Sequence, residues 1–377
     1  MKKEYPSLWK SNLLISVLSL ITTILVLEIM LRTYDQLKGR GFFSNHRNLI
    51  SQRIKQVQPF RTFGFKLYRN KKEVKYISST HRELFPIKKP NGTFRIVVFG
   101  GSTTYNGFSF KKTKTHYPLI LQSELREFFG TKAIEVINVG YPAYATPHSL
   151  ILFQLDVLSW APDMIIVSHN VNDLLAAYWP NFTFDYSNKY SDDFYSIPYK
   201  STLTFSNLLF QHSQLYWFVG DRINRVINSR ELQRKSYGTK PPQLAIEVFQ
   251  RNLRSFVALA KANKIKVLFG NQALQPTEEY FLLHMLDKPY NSTIIYPLHN
   301  EFVAHHRAFN EAIRQVAEET DVLFIDNESK LGDNKEYFID FVHYTPKGVT
   351  VLANNYATFL IDKNLIQLPP KALNNRK

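Results

Sequence analysis

Cysteine is absent from the 377-residue sequence. Its absence excludes disulfide bridges, a thiolate nucleophile and cysteine-ligated metal sites, and it leaves the redox compartment undetermined. It also argues against a lipid-modified cysteine as a membrane anchor.

Several motifs that would identify other classes of protein are missing as well. No G-x-S-x-G elbow is present, which disfavours the α/β-hydrolase fold. No H-E-x-x-H pair is present, and we expect no metal and no cofactor. We also find no nucleic-acid-binding motif and no internal repeat. Five histidines show no metal-ligand spacing, and most of them are expected to be structural or solvated: His116, His148, His169, His305 and His306.

Acidic residues are fewer than basic ones, with 31 Asp and Glu against 47 Lys and Arg, for a net charge of +16. Residues 32–90 alone hold fifteen Lys or Arg and only three Asp or Glu. Such a segment can attract anionic lipid headgroups or an acidic envelope polymer. A solvated basic linker explains the same composition equally well.

An apolar run at residues 13–31, LLISVLSLITTILVLEIML, is the next feature. It is close to the ~20 residues that a helix needs to cross a bilayer. A cleaved signal peptide would have a shorter apolar region, roughly 7–15 residues, followed by small residues. The run instead ends in Leu31-Arg32-Thr33-Tyr34, which favours an uncleaved, single-pass membrane anchor after a short tail at residues 1–12.

The orientation of this anchor is not decided by local charge, because basic residues lie on both sides of it. Since a short N-terminal tail normally stays inside and a long domain can be translocated, we expect the main domain to lie outside the cytoplasmic membrane. Glu28, near the outer end, is interpreted as a carboxylate that reaches the headgroup layer, with no catalytic role. The basic residues concerned are Lys2, Lys3 and Lys10 before the run, and Arg32, Lys38, Arg40 and Arg47 after it.

Apolar β-branched segments alternate with amphipathic ones through the rest of the chain. This alternation predicts an α/β fold, with a five-stranded parallel sheet covered by helices on both faces in a three-layer α/β/α sandwich. Thr345 and Pro346 are a typical start for the last helix. The predicted strands are at 95–99, 134–138, 164–168, 265–269 and 322–325, and the helices at 116–129, 146–160, 244–263, 300–319 and 346–362.

The predicted domain covers residues 93–365, between a basic membrane-proximal linker or cap at 32–92 and a C-terminal tail at 366–377. An aromatic, Asn- and Ser-rich stretch at 178–243 interrupts the alternation. It is interpreted as an insertion that serves as a lid or substrate wall, or as a surface excursion packed on the domain. Helical fragments are expected within it around 208–218 and 221–235.

Three side chains suit nucleophilic catalysis. Ser102 follows the first predicted strand in Gly100-Gly101-Ser102-Thr103, where the glycines allow a tight turn. Asp340 and His343 lie three residues apart in FIDFVHYTPKG, so the carboxylate can bind one imidazole nitrogen while the other faces a nucleophile. Taken alone, either feature has an ordinary structural explanation as a turn or as a surface Asp–His contact.

Two further segments follow strands of the predicted sheet and strengthen this hypothesis. Asn138-Val139-Gly140-Tyr141-Pro142-Ala143-Tyr144 follows the second strand, and His169-Asn170-Val171-Asn172-Asp173 follows the third. Backbone and side-chain amides at these places could stabilise a developing negative charge. Asp173 is interpreted as a helix cap rather than a reactant.

The order of these segments resembles the SGNH, or GDSL-type, hydrolase superfamily. The residues that carry the resemblance are VVFGGSTT, INVGYPAYAT, SHNVND and DFVHYTPKG, within a region of roughly residues 94–362. The first block reads GGST rather than GDS, and Asn170 stands where a glycine is usual. The resemblance implies a flavodoxin-like arrangement of the sheet.

The resemblance also implies the roles of the site residues. Ser102 would be the nucleophile, His343 the general base and acid, and Asp340 the partner that orients it. The oxyanion hole would comprise the Ser102 amide, the Asn172 side chain and a backbone amide of the second block. That amide belongs to Gly140 or Ala143, and the sequence leaves both open.

The function expected from this resemblance is that of a membrane-anchored serine esterase acting on an ester-linked acyl group of an envelope glycan or lipid. An O-acyltransferase with the same triad is the nearest alternative. A non-catalytic envelope-assembly or binding protein that retains the fold is the alternative from another class. The oligomeric state and the acyl-chain length are not decided by the sequence.

Overall fold

The computed structural model describes residues 8–37, 42, 64, 66–69, 73–77, 82–86, 88–178, 182–190, 213–216, 218–220, 222–223, 243–281 and 297–368. The chain forms two compact units, and the predicted insertion is divided between them. The first unit comprises residues 1–57 and 197–234, and the second comprises residues 58–196 and 235–377. The predicted helical fragments of the insertion fall largely outside the described residues.

The first unit contains the long apolar helix α1, Leu8–Leu37. By length and composition, residues 11–37 could cross a membrane, and a signal sequence would satisfy the same criterion. Glu28, interpreted from the sequence as a carboxylate that reaches the headgroup layer, accepts hydrogen bonds from the backbone N–H groups of Gln214 and Leu215. Residues 214–216, 218–220 and 222–223 of the same unit are helical.

The second unit is built on a parallel sheet of five strands in the order β5-β4-β6-β7-β8. A separate antiparallel sheet of three strands, in the order β1-β2-β3, lies in the segment interpreted as a basic linker, where no strands were expected. The strands are β1 Lys66–Arg69, β2 Glu73–Ile77, β3 Arg82–Pro86, β4 Phe94–Gly100, β5 Ile134–Asn138, β6 Met164–Ser168, β7 Lys266–Gly270 and β8 Leu323–Ile325.

The second unit contains ten described helices. They are α2 Ser102–Tyr105, α3 Gly107–Thr113, α4 Tyr117–Phe129, α5 Thr146–Leu155, α6 Val171–Ala177, α7 Ser187–Tyr190, α8 Gln243–Ala262, α9 His299–Glu319, α10 Asn327–Leu331 and α11 Pro346–Asp362, with 3₁₀ turns at Val157–Trp160 and Lys335–Tyr337.

The predicted strands and long helices are confirmed to within one or two residues at nearly every boundary. The exception is the helix expected at 146–160, which ends as α5 at Leu155 and is followed by the 3₁₀ turn. Thr345 caps α11 as expected, since its hydroxyl accepts from the Gly348 N–H.

Alternate residues of β4 pack into two different layers, which is why the sheet is covered on both faces. Ile96 and Val98 belong to a core cluster with Leu121 of α4 and Tyr356 of α11. Phe99, on the opposite face, packs edge-on against Phe153 of α5 and Phe256 of α8. Burial on both faces accounts for the apolar run from Ile96 to Phe99 and confirms the three-layer arrangement.

The chain leaves β4 first towards β5 on one side and later reaches β6 on the other side. The sheet therefore has a topological switch point between β4 and β6. Numbered within this sheet, the order is 2-1-3-4-5, that of flavodoxin-like folds, whose ligands bind at the carboxyl ends of the strands beside the switch. Gly100, at the end of β4, is in register with Ser168, at the end of β6. Residues that follow these two strands therefore meet at one edge of the sheet.

Candidate active site

Ser102 is the first residue of the short helix α2, directly after β4. The two preceding glycines are required by close packing. A side chain on Gly100 would overlap Thr104 and lie 2.8 Å from the backbone oxygen of Ser168, and one on Gly101 would overlap the amide of Asn172. The tight turn expected from the sequence is thus closely packed against β6 and α6, and Ser102 at its end is half-buried.

The loop between the last 3₁₀ turn and α11 carries Asp340 and His343. Its ends are joined by an antiparallel bridge between Phe338 and Tyr344 and by the Ile339 N–H, which donates to the His343 carbonyl at 2.7 Å. One oxygen of Asp340, Oδ1, accepts from the N–H groups of Val342 at 3.0 Å and His343 at 2.9 Å. The carboxylate therefore shapes the turn on which the imidazole is mounted.

The loop and the β4 turn bring the three candidate catalytic side chains together. His343 Nδ1 lies 2.7 Å from Asp340 Oδ2, and His343 Nε2 lies 2.8 Å from Ser102 Oγ, although serine and histidine are 241 positions apart. Their side chains are mostly shielded, with 11% of the imidazole and 15% of the carboxylate exposed. With the proton on Nδ1, Nε2 is left as the acceptor for the serine hydroxyl proton.

Asn172, in the first turn of α6, lies on the other side of the nucleophile turn. Its amide nitrogen donates to the Tyr144 carbonyl at 2.9 Å and occupies the space in which a side chain on Gly101 would stand. An amide hydrogen not used by that bond is available beside the residue that precedes Ser102, since an amide has two. The structure thus places the Asn172 amide beside Gly101, the residue that precedes Ser102.

Gly140 and Ala143, the two candidates for the backbone donor, differ in their surroundings. Gly140 is buried and its N–H already donates to the Asn138 side chain at 2.9 Å. A side chain there would stand 2.7 Å from Thr104. Ala143 is half-buried, and its φ of 64° lies in the left-handed region that glycine prefers. The two candidates thus differ in burial and in backbone conformation.

Asp173 is buried inside α6 and does not cap that helix, contrary to the expectation. Its carboxylate accepts from the backbone N–H of Thr146 at 3.1 Å, from the Thr146 hydroxyl at 2.6 Å and from the Tyr186 hydroxyl at 2.9 Å. It therefore satisfies the first turn of the neighbouring helix α5. Burial raises the pKa of Asp173 to about 6, against the opposing effect of these donors.

Four of the histidines outside the triad make structural contacts. His116 caps α4 by accepting from the Leu119 N–H, and the ring of His169 pairs with the Ser149 hydroxyl at 2.9 Å. His148 accepts from the Ala145 N–H, and His305 pairs with the Tyr178 hydroxyl. Among the described residues, no group of three or more His, Cys, Asp or Glu could hold a metal ion.

A buried amide network behind the nucleophile turn was not identified from the sequence. Gln272, which follows β7, donates to the Thr103 hydroxyl at 2.9 Å and accepts from the Val171 N–H at 2.9 Å. The side chain of Asn310, on α9, accepts from the Gln272 N–H and donates to the Gln272 carbonyl. It also accepts from the Asn170 side chain. The available signal was the polar pair Asn271-Gln272 directly after a buried strand, at the same sheet edge as Ser102.

The sequence was compared with protein families, curated proteins and solved structures. Residues 98–351 match the model of the GDSL-like Lipase/Acylhydrolase family. The comparison with curated proteins gave no match.

Solved structures with a similar fold include three bacterial enzymes. A lipase/acylhydrolase from Enterococcus faecalis is 13% identical, over 74% of this chain and 98% of that one, with a TM-score of 0.42. An acetylxylan esterase from Geobacillus stearothermophilus is 15% identical, over 74% and 97%, with a TM-score of 0.43. A GDSL-like lipase from Bacteroides thetaiotaomicron is 14% identical, over 71% and 88%, with a TM-score of 0.39.

Proposed function

The chain belongs to the GDSL-like lipase/acylhydrolase family, a family of esterases, and from this premise we propose that it is a membrane-anchored serine esterase. Its catalytic triad is Ser102, His343 and Asp340. The observation that carries this proposal is the pair of hydrogen bonds at His343, 2.8 Å to Ser102 Oγ and 2.7 Å to Asp340 Oδ2.

The proposed reaction has two halves. Ser102 Oγ attacks the ester carbonyl while its proton passes to His343 Nε2, and the tetrahedral intermediate collapses with cleavage of the ester C–O bond. His343 gives the proton to the departing alcohol, which leaves an acyl group on Ser102. A water molecule, deprotonated by His343, then attacks the acyl-enzyme and releases the carboxylic acid and the free serine.

The oxyanion that forms in each half is stabilised by three proposed donors: the backbone N–H groups of Ser102 and Ala143, and the side-chain amide of Asn172. Ser102 supports this assignment because it begins α2, where the N–H groups of a helix have no partner in its own first turn. Asn172 supports it because its amide lies against Gly101. Removing one such donor typically costs about 10²–10³ in rate.

The proposed location is the outer side of a cytoplasmic membrane, with α1 as an uncleaved anchor. The length and hydropathy of α1 support a membrane span. An acyl ester on an envelope glycan or lipid is the substrate class that fits this location. A topology reporter fused to the C-terminus tests the location, and a cytoplasmic signal would remove the argument for an envelope substrate.

An active-site probe tests the triad. Full-length protein in detergent is treated with a fluorophosphonate probe and assayed with a short-chain aryl ester. We expect labelling and turnover in the wild type and in the Ser123→Ala control, which changes an exposed serine of α4, and neither in Ser102→Ala. Equal labelling and turnover in the wild type and Ser102→Ala would overturn the esterase assignment and favour a non-catalytic envelope protein.

An O-acyltransferase would use the same triad and the same acyl-enzyme, with a sugar hydroxyl in place of water. The two functions are separated by following the acyl group. An acyl donor turned over at the same rate with and without added glycan acceptors indicates a hydrolase. Turnover that requires the acceptor, with the acyl group recovered on it, indicates a transferase.

A further inference from the structure

Within the first unit, the Glu28 side chain of α1 is hydrogen-bonded to the segment that begins at Ser213. Its carboxylate accepts from the Ser213 hydroxyl at 2.9 Å and from the backbone N–H groups of Gln214 and Leu215 at 2.9 and 2.8 Å. Arg32, one turn further along α1, donates to the same carboxylate at 2.8 Å. A side chain of α1 thus caps the helical residues that start at 214.

This capping fixes the segment at one end of the apolar run. Glu28 lies 15 positions beyond Leu13, about 22 Å along the helix at ~1.5 Å per residue, in a bilayer whose hydrocarbon core is about 30 Å thick. A carboxylate there is costly unless it is paired and hydrogen-bonded. The N–H groups at 214 and 215 supply those bonds, so the segment must lie at the depth of Glu28.

The same segment exposes an apolar stripe. Tyr216, Val219 and Ile223 are 40%, 45% and 52% exposed, and their spacing of three and four places them on one helix face. Gln214, on the opposite face, is buried. Arg222 stacks on the Phe218 ring, with 3.6 Å between the guanidinium carbon and the ring centroid.

The sequence around this stripe has the composition of a membrane-surface helix. Residues 213–235 contain five Lys or Arg against two Asp or Glu, and Trp217 extends the aromatic content next to Tyr216. Aromatic residues are enriched at the headgroup level, and basic residues favour anionic lipids. The exposed apolar face and the basic sequence that follows it are both typical of contact with the boundary between headgroups and acyl chains.

We propose that Tyr216, Val219 and Ile223 enter the headgroup–acyl boundary as an interfacial membrane contact and that Glu28 holds the segment beginning at Ser213 on the anchor. The inference rests on the anchoring part of the proposed function and is independent of the triad. It also bears on processing, since cleavage of α1 as a signal peptide would remove the acceptor that caps the segment.

The absence of cysteine makes a site-specific test possible. Single-cysteine variants at Tyr216, Val219 and Ile223 are labelled with a fluorophore in the full chain. The protein is reconstituted into vesicles of phosphatidylethanolamine and phosphatidylglycerol. Fluorescence is quenched either by spin-labelled lipid or by aqueous iodide. Ile21→Cys, on α1, is the lipid reference, and Glu318→Cys, an exposed site on α9, is the aqueous reference.

We expect spin-labelled lipid to quench all three stripe positions and iodide to lose access to them. Iodide quenching like that of Glu318, with Ile21 quenched by lipid, would overturn the proposal. Protection from both quenchers, with crosslinking of Val219 between chains, would also overturn it and indicate an interface between copies. Absence of residue 21 from the mature protein would show that α1 is cleaved and would disprove the anchor. The esterase assignment would stand, because the triad does not depend on α1.

The role of Glu28 is tested with Glu28→Leu, which increases the hydropathy of α1 and so preserves insertion. The expected result is loss of lipid quenching at Val219 while Ile21 stays quenched. Unchanged lipid quenching at Val219 in Glu28→Leu would show that the segment does not depend on the capping. Ester turnover is measured in parallel, so failure of the triad is distinguished from failure of the membrane contact.

Discussion

The side-chain amide of Gln272 donates a 2.9 Å hydrogen bond to the hydroxyl of Thr103, the residue that follows the proposed nucleophile. The oxygen of the same amide accepts from the Val171 N–H, at the start of the helix that carries Asn172. One buried side chain therefore connects the turn of Ser102 with the helix of the proposed oxyanion donor. The relative position of these two groups depends on it.

Gln272→Leu removes both hydrogen bonds while keeping a side chain of similar size. Because small displacements of reacting groups are expensive, we expect kcat to fall roughly 10- to 100-fold with little change in KM. Steady-state kinetics on an aryl ester check this, with thermal unfolding to confirm that the variant is folded at the assay temperature.

Thr103→Val is the matched variant, because it removes only the bond to the nucleophile turn and leaves the one to Val171. A smaller loss of kcat is expected from it. If folded Gln272→Leu turned over substrate at the wild-type rate, Gln272 would have no positioning role.

Asp340 has two functions that a substitution by asparagine separates. The Oδ1 atom accepts from two backbone N–H groups of its turn, and Oδ2 pairs with His343 Nδ1. Asparagine can keep the first set of bonds, but its NH₂ group would favour a tautomer with the proton on Nε2, which cannot accept the proton of Ser102. We expect Asp340→Asn to lower kcat by roughly 10³–10⁴-fold with the fold intact.

Asp340→Ala should lose the turn bonds too, at an added cost of about 1–3 kcal/mol in the free energy of unfolding. Fluorophosphonate labelling rates and denaturant titrations measure the two effects separately. Rapid labelling of Asp340→Asn would contradict the assignment of Asp340 as the orienting residue.

Ala143 adopts a φ of 64°, where an alanine is strained and a glycine is not. Since the proposed oxyanion donor at this position is the backbone N–H, Ala143→Gly should retain turnover. It should raise the free energy of unfolding by about 1 kcal/mol, as expected for relief of a left-handed alanine. Denaturant titration and kinetics of the same preparation check both parts.

Gly140→Ala is the opposing control. Its new carbon would lie 2.7 Å from Thr104 and 2.8 Å from the Tyr105 nitrogen, so we expect it to destabilise the protein. A stable Gly140→Ala variant, or an inactive Ala143→Gly variant, would contradict the proposed division of roles between these two positions.

The sheet could be predicted from the sequence because its strands are buried on both faces. Residues 94–100 are buried throughout, and the apolar run from Ile96 to Phe99 marks the strand clearly. The meeting of the segments that follow β4 and β6 could be predicted because strand ends in a parallel sheet converge on one edge. The roles of the site residues came from the family resemblance, because neither the Gly-Gly-Ser turn nor the Asp–His pair identifies a site alone.

Other features depend on partners distant in sequence and could not be read locally. Asp173 has the sequence position of a cap, but its donors come from Thr146 and Tyr186, on other elements. Glu28 has the sequence position of a residue at a membrane surface, but it is bonded to residues 185 to 187 positions away. In both cases the competing contact is tertiary, and no periodicity or capping pattern reports it.

His306 of α9 is fully buried, and neither of its ring nitrogens has a hydrogen-bond partner in the part of the chain that the structure describes. Burial lowers its pKa from 6.5 to about 3. As the pH falls below about 6.5, the unfolded chain binds a proton at this histidine and the folded chain does not. The stabilising contribution of the neutral ring is therefore present above pH 6.5 and is lost as the pH falls towards 3.

We expect His306→Leu to remove this share of the acid sensitivity at little cost at pH 8, because the ring makes no hydrogen bond that leucine would lose. For each pH unit below pH 6, the free energy of unfolding of the variant should increase relative to that of the wild type by about 1.4 kcal/mol. Denaturant titrations at pH 8 and pH 5 measure it.

His169→Leu is the informative comparison, since burial lowers the pKa of that histidine to about 3 as well, but its ring pairs with the Ser149 hydroxyl. It should flatten the pH profile in the same way and lose stability at pH 8, where an unpaired buried hydroxyl costs about 1–3 kcal/mol. The same loss at pH 8 in His306→Leu would mean that its ring has a partner after all, such as a buried water, and that acid sensitivity arises elsewhere.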